Sequence, residues 1–275
     1  GSRAEAEPLY RRVLEWYRHI LGDQHASTLR SMSNLAALLQ AQGRFSEAEP
    51  LSRESLRGNE HTLGADDPDT ITSANNLAYL LKAQGHLQEA EHLFRRVLRW
   101  REKRCGNAHP DTVASLTVLA GLMDSQGKLE QAEALYRQAL TVYERRPCGT
   151  ETAEAVFLYD KLAGVLHIQD RLEEATPFAR LALSGSESML GPHHLDTVSS
   201  AYRLAHVLSA QSKLSEAEVL YQRVLEQRSK QLGTTDPQTL ACMTRLASVK
   251  ESCGKTTEAV RLYRQALQCH NARKP

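Results

Sequence analysis

The dipeptide Leu-Ala returns along this chain at a nearly constant interval. It stands as Leu35-Ala36, Leu77-Ala78, Leu119-Ala120, Leu162-Ala163, Leu204-Ala205 and Leu246-Ala247, with spacings of 42, 42, 43, 42 and 42. A second marker, the alanine of a Glu-Ala-Glu-like motif, keeps the same register at Ala6, Ala48, Ala90, Ala132, Ala175, Ala217 and Ala259. A third is the glycine of Gln-Gly at Gly43, Gly85, Gly127 and Gly254, with Asp170 and Ser212 in its place in two repeats. Three markers in one register mean a tandem array. Each unit of such an array buries its apolar face only against its neighbours.

Within a unit the pattern is that of two helices. Gly64 reads as a helix stop. Asp67-Pro68 then supplies an N-cap acceptor and a proline at the first helical position. His109-Pro110 and Asp236-Pro237 repeat that start. From Asp69 to Ala83 the apolar residues Leu77, Ala78, Leu80 and Leu81 share a helical face, and Gly85 breaks the run. From Leu87 to Lys103, Ala90, Leu93, Phe94, Val97 and Leu98 recur three and four apart. Alanine at positions 78 and 90 permits close approach of the paired helices, while Leu77, Leu81 and Phe94 fill the remaining space. The fold class is therefore all-α, a solenoid of about six helix pairs after a half repeat.

A period near 42 also suits HEAT repeats and WD40 blades. Helical periodicity and the absence of Trp-Asp exclude the latter. The order of the remaining motifs, with Leu135-Tyr136, Leu220-Tyr221 and Leu262-Tyr263 followed by Ala139-Leu140 and Ala266-Leu267, separates the chain from HEAT repeats. The run Leu63-Gly64-Ala65-Asp66-Asp67-Pro68-Asp69-Thr70, with Asn76-Leu77-Ala78, Gln84-Gly85 and Glu89-Ala90-Glu91, resembles the 42-residue class of tetratricopeptide repeats found in kinesin light chains and nephrocystin-3-like proteins. The resemblance runs from Ala4 to about His270. It implies a right-handed superhelix whose first helices line a concave groove that holds peptide or protein ligands. The expected layout is one solenoid over 3–275, with a half repeat at 3–21 and repeats at about 22–63, 64–105, 106–148, 149–190, 191–232 and 233–275. Gly1-Ser2 reads as a tag scar ahead of a fragment.

The fourth repeat departs from the pattern. It starts with Thr152-Ala153 in place of His/Asp-Pro, and its extra residue falls near Arg145-Arg146-Pro147-Cys148. Proline there ends or kinks the preceding helix. Ser184-Gly185-Ser186 lies inside its second helix, where glycine costs about 1 kcal/mol relative to alanine. A softer joint between Arg145 and Ser188 is expected.

Lys+Arg total 34 and Asp+Glu 33, so no overall field draws the chain to nucleic acid or to an anionic membrane. No apolar run reaches the roughly 20 residues that span a bilayer. Five cysteines without a CxxC pair point to reduced thiols in the cytoplasm, and to neither a disulfide framework nor a zinc site. No nucleotide, metalloprotease or nucleophile-elbow motif is present, so neither an enzyme nor a cofactor is expected. His193-His194 falls at the cap position. The cations Arg95, Arg96, Arg99, Arg101, Lys103 and Arg104 are interleaved with Glu91 and Glu102 and read as a solvated outer face. Trp16 and Trp100, at equivalent positions, read as packing between repeats.

Candidate ligand contacts lie on a stripe of the first helices at spacings i, i+3, i+4 and i+7. It holds Arg30, Ser33, Asn34 and Ala37 in one repeat and Thr72, Asn75, Asn76 and Tyr79 in the next. The residue before Leu-Ala makes a ladder: Asn34, Asn76, Val118, Lys161, Arg203 and Arg245. The asparagines suit a peptide main chain, since each donates and accepts; the resemblance implies the same role. The three cations repel one another and suit an acidic segment or a C-terminal carboxylate, with Tyr202 and His206 beside them. Pairing of the cations with Asp160 or Glu251 is the competing reading. The expected function is a scaffold or adaptor that binds a peptide in the groove. The rivals are an assembly module that uses convex faces or ends, and a regulatory segment of a larger enzyme or motor-associated protein. Weak self-association through uncapped ends is expected.

Overall fold

A computed structural model describes residues 3–145 and 152–271, which hold thirteen α-helices and no strand. The second helix of the half repeat is α1 (Arg3–Leu21). The pairs that follow are α2 (Ala26–Ala41) with α3 (Phe45–Leu63), α4 (Pro68–Gln84) with α5 (Leu87–Cys105), α6 (Pro110–Ser125) with α7 (Leu129–Glu144), α8 (Ala153–Ile168) with α9 (Leu172–Leu190), α10 (Leu195–Ala210) with α11 (Leu214–Gln231), and α12 (Pro237–Ser252) with α13 (Thr256–Asn271). The all-α helix-pair architecture expected from the repeat is what the chain adopts.

Each first helix opens on a side-chain cap. Asp67 and Asp236 accept from the backbone N–H two residues on at 2.8 Å, and His25, His109 and His194 do the same through Nδ1 at 3.2 Å. Thr152 caps α8 in place of these, at 3.3 Å. The threonine of the Pro-x-Thr motif has a structural task. Thr28, Thr70, Thr112 and Thr197 are fully buried, and each hydroxyl donates to the carbonyl of the preceding loop glycine at 2.8–2.9 Å. That bond ties the starts of α2, α4, α6 and α10 to the end of the previous repeat and satisfies a buried hydroxyl. Gly85 takes φ +85° at the close of α4. Asp170 and Ser212 hold the same left-handed turn without glycine, at φ +60° and +61°.

The helices form two compact units, Gly1–Leu135 and Tyr136–Pro275. In the first, α1 to α6 pack each against the next, and α2 also touches α4. In the second, α8 to α13 do likewise, and α8 also touches α10. The alanine markers are the inmost residues: Ala48, Ala78, Ala90, Ala163, Ala175, Ala205, Ala217 and Ala247 are all 0 % exposed. Around them leucines fill the layers, with Phe94 in the first unit and Tyr221 in the second.

Successive second helices are joined by ion pairs at a near-constant offset. Arg53–Glu89, Arg96–Glu60, Arg180–Glu216 and Arg223–Glu187 are 36 residues apart, and Lys128–Glu91, Arg137–Glu174 and Lys255–Glu218 are 37 apart. The basic run on α5 is therefore engaged. Arg95 pairs with Glu91, Arg96 with Glu60, Arg101 donates to Ser115, and Arg104 lies over the Trp100 ring. Trp100 packs back on the preceding loop through Nε1 to the Asp66 carbonyl at 2.7 Å. Trp16 does not match that expectation. It is 58 % exposed and meets the Tyr17 ring edge-on at 5.1 Å.

Of the fourth repeat's departures, Pro147 and Cys148 lie outside the described residues, and α9 runs through Ser184-Gly185-Ser186 without a break. A Cβ on Gly185 would lie 2.4 Å from Val156 Cγ2, and one on Gly58, the matching position of α3, 2.3 Å from Leu29 Cδ2. These glycines are close-contact residues, and helix propensity is sacrificed to let α8 and α2 approach. Gly185→Ala should cost about 1–3 kcal/mol through overpacking against the stiff valine, in spite of alanine's higher helix propensity. Urea unfolding checks this, and a more stable variant contradicts it.

Candidate functional site

In the first unit the stripe residues Arg30, Asn34 and Asn76 line one cleft of about 350 Å³ between α2 and α4, with Ser27, Ser33, Asp69, Thr72 and Ser73. Its floor comes from α3. Asn59, 6 % exposed, donates to Ser73 Oγ at 2.9 Å, and Ser55 Oγ donates to the Leu29 carbonyl and meets Ser33 Oγ at 2.8 Å. The floor is thus hydrogen-bonded within itself. Arg30, Asn34 and Asn76 make no hydrogen bond or ion pair among the described residues. Asn75 and Tyr79 are not among the residues that line this cleft; Tyr79 packs edge-on against Phe94 at 5.1 Å. Arg30 and Asn34 also border a smaller cleft with Tyr10 and Tyr17 of α1.

In the second unit the ladder is cationic and aromatic. Arg203 Nε donates to Asp160 at 2.6 Å, across 43 residues from α10 to α8, and its terminal nitrogens make no hydrogen bond among the described residues. Arg203 Nη1 lies over Gly164, where a Cβ would be 2.6 Å away. Asp160 therefore serves Arg203, while its neighbour Lys161 lies over the Phe157 ring at 5.2 Å. Arg245 is exposed and unpaired among the described residues, and Glu251 bonds instead to Tyr263. Neither internal pairing considered for the cations forms: Asp160 bonds to Arg203 and not to its neighbour Lys161, and Glu251 bonds to Tyr263 and not to Arg245.

His206 meets a second histidine. The rings of His167 and His206 are 4.4 Å apart, and Tyr202 lies parallel to His206 at 6.3 Å. Tyr202 in turn touches Tyr221 and carries Arg228 over its face at 4.5 Å. Burial, His167, Arg245 and Arg203 together lower His206 to about 4. Burial and the same two arginines lower His167, against an opposing pull from Asp170. Burial pushes the Tyr221 phenol up and the Cys242 thiol up to about 12. His167 lies one turn beyond the stripe on α8, three residues after Gly164. Extending the stripe by a turn would have found it.

A larger cleft of about 880 Å³ lies among α11, α12 and α13, where Lys250 pairs with Glu218 and Glu258, Lys255 pairs with Glu218, and Arg261 has no ion pair among the described residues. No group of three or more metal-ligating side chains occurs among the described residues, and no helix there is long and apolar enough to cross a membrane.

The model of the tetratricopeptide-repeat family matches five overlapping segments, 1–61, 35–103, 69–145, 154–226 and 198–272. The chain belongs to the tetratricopeptide-repeat family. Among solved tetratricopeptide-type structures it is similar to a Podosopora anserina protein described as a kinesin light chain with nearly identical TPR-like repeats. The two share 25 % identity at a TM-score of 0.64, over 75 % of this chain and 97 % of that one. BtubC (BKLC) from P. vanneervenii, 22 % identical over 85 % of this chain and 93 % of its own, has a TM-score of 0.68 and supports the fold. A signal-transduction ATPase with a tetratricopeptide-repeat sensor, from Pyrococcus horikoshii, is 14 % identical over 96 % of this chain and 40 % of that one, at a TM-score of 0.77. No curated protein matches. The tetratricopeptide repeats here are of the kinesin-light-chain-like type, and proteins built from such repeats are in general interaction scaffolds without catalytic activity.

The histidine pair makes this tetratricopeptide stack acid-sensitive. An ordinary histidine titrates near 6.5, and His206 in the folded chain near 4. Between those values the unfolded chain binds a proton that the folded chain refuses. Stability is therefore full above about pH 6.5 and falls as the pH drops toward 4. Thermal melts over that range should show the decline, and His206→Asn should flatten it; an equal decline in the variant contradicts the assignment.

Proposed function

We propose that the chain is a scaffold that binds a partner's peptide segment along its first-helix stripes, and that the second unit takes an acidic segment or a C-terminal carboxylate. The observation that carries this reading is the unpaired Arg245, close enough to both histidines to act on them, as is Arg203, whose fork is still open. An exposed guanidinium beside imidazoles that burial, and in part its own field, keeps uncharged lacks a counter-anion, and a carboxylate pairs with such a fork in bidentate fashion. In the first unit, Arg30, Asn34 and Asn76 around one cleft suit a main chain and a single acidic group. Asn75, Tyr79 and Lys161 are proposed as flanking contacts. The free cysteines Cys105, Cys242, Cys253 and Cys269 support a cytoplasmic setting.

A second reading, assembly through the ends, has an observation of its own. Tyr263 and Leu267 on α13 are exposed, whereas the matching Phe94, Leu98, Tyr136 and Leu140 of inner repeats are buried. Under this reading α13 meets a second copy or another protein.

Titration of the chain with an Asp-rich peptide at two ionic strengths separates the readings. The wild type should bind more weakly at high salt. Arg203→Glu with Arg245→Glu should weaken binding about 10- to 100-fold and remove most of the salt dependence. Unchanged affinity in that variant overturns the acidic-segment reading. Partner binding abolished by Tyr263→Ser with Leu267→Ser alone favours assembly.

A further inference from the structure

Two imidazoles in the second unit share one space within the field of two guanidinium groups. His167 comes from the last turn of α8 and His206 from the middle of α10, with ring centres 4.4 Å apart and planes tilted by 32°. Arg203 precedes His206 by three residues on α10, Arg245 comes from α12, and both act on both rings. The other charged and titratable groups nearby are committed elsewhere or pull weakly. On α8, Asp160 holds Arg203 and Lys161 lies over Phe157. Beyond α8, Asp170 draws His167 toward the charged form. Beside His206 on α10, Tyr202 stacks parallel to its ring, and Arg228 from α11 covers Tyr202 and donates to the Gln238 carbonyl. Tyr221 of α11 is buried, and Glu251 of α12 is bonded to Tyr263.

Like charges at this range cannot all be present at once. Burial is the first cause that keeps the imidazoles uncharged, and the permanently charged arginines add to it. A carboxylate set against Arg203 and Arg245 cancels the arginines' share and itself favours the charged imidazole. We propose that binding of an acidic segment in the second unit is coupled to proton uptake by the His167–His206 pair, so that the site holds its ligand more tightly in mildly acidic than in neutral solution. The inference rests on the acidic-segment reading of the same site. It makes the histidines proton-linked determinants of affinity for an anion, while Arg203 and Arg245 supply the contact. Protonation, which costs stability in the free chain, strengthens the complex.

The size of the effect follows from linkage. Burial, the largest cause of the lowering, persists in the complex, so a full return of His206 from about 4 to the ordinary imidazole value near 6.5 sets the ceiling: affinity rises by at most about tenfold between roughly pH 7.5 and pH 5.5. Aspartate carboxylates, titrating near 3.9, keep their charge across that range, so the peptide does not produce the change.

The test is calorimetric titration of the whole chain with an Asp-rich peptide at about pH 7.5 and pH 5.5. Each pH is run in two buffers of different ionisation enthalpy. Expected is tighter binding at the lower pH, by up to about tenfold, with binding heats that differ between buffers there by up to one proton's worth. In His167→Asn with His206→Asn the affinity ratio between the two pH values should fall to about one and the buffer dependence of the heats should vanish, whatever the neutral-pH affinity, the fold being checked by circular dichroism. The buffer comparison on the wild-type chain needs no variant. It decides the matter if the double variant fails to fold. Equal affinities with buffer-independent heats overturn the proton linkage alone. Wild-type linkage retained in a folded double variant overturns the assignment to these histidines. Binding at neither pH overturns the acidic-segment reading and the linkage with it.

Discussion

The rest of this structure depends on alanine at the crossing of each helix pair. Ala78 with Ala90, Ala163 with Ala175 and Ala205 with Ala217 have no exposed surface. A larger side chain there would push the paired helices apart and open the leucine layers around them. Close approach at that point consumes one stripe of each first helix and one of each second helix. What remains outward is divided. Second helices spend their outer polar residues on ion pairs to the next second helix, 36 or 37 residues along. First helices carry side chains on their remaining stripe that the fold does not use, among them Arg30, Asn34, Asn76 and Arg245.

The two units present different chemistry on that stripe. In the first, a neutral cleft rests on a floor of serine and asparagine that is already hydrogen-bonded, so its rim is free to meet a ligand. In the second, two arginines and two histidines meet, and one carboxylate, Asp160, is bonded to one of the arginines. The difference lies in the side chains at ladder positions, since backbone and caps repeat in both units. A scaffold of this kind varies its ligand chemistry without altering the positions that pack.

Period, helix pairs, caps and the buried face were legible in the sequence because each depends on residues close in the chain. Asp67 or His109 caps its own helix two residues on, and Leu77-Ala78 falls on a face fixed by a period of 3.6. Contacts between repeats were legible only in part. Asp160 stands next to Lys161 in sequence, but successive residues on a helix point about 100° apart, and Asp160 reaches Arg203 on the next first helix instead. His167 was passed over because the stripe was followed for two turns and the pair with His206 forms on the third. Gly185 read as a weakness of α9 for the same reason: nothing within α9 shows that Val156 of α8 needs the space.

The central claim is that first-helix stripes carry the ligand and second-helix faces carry the ladder that joins repeats. Photo-cross-linking of an Asp-rich peptide with a reactive group at one end, followed by mapping of the labelled residues, tests it most directly. The account predicts label on α8, α10 and α12 around Arg203, His206 and Arg245. Label confined to α9, α11 and α13, or to the cleft around Lys250 and Lys255, would contradict it.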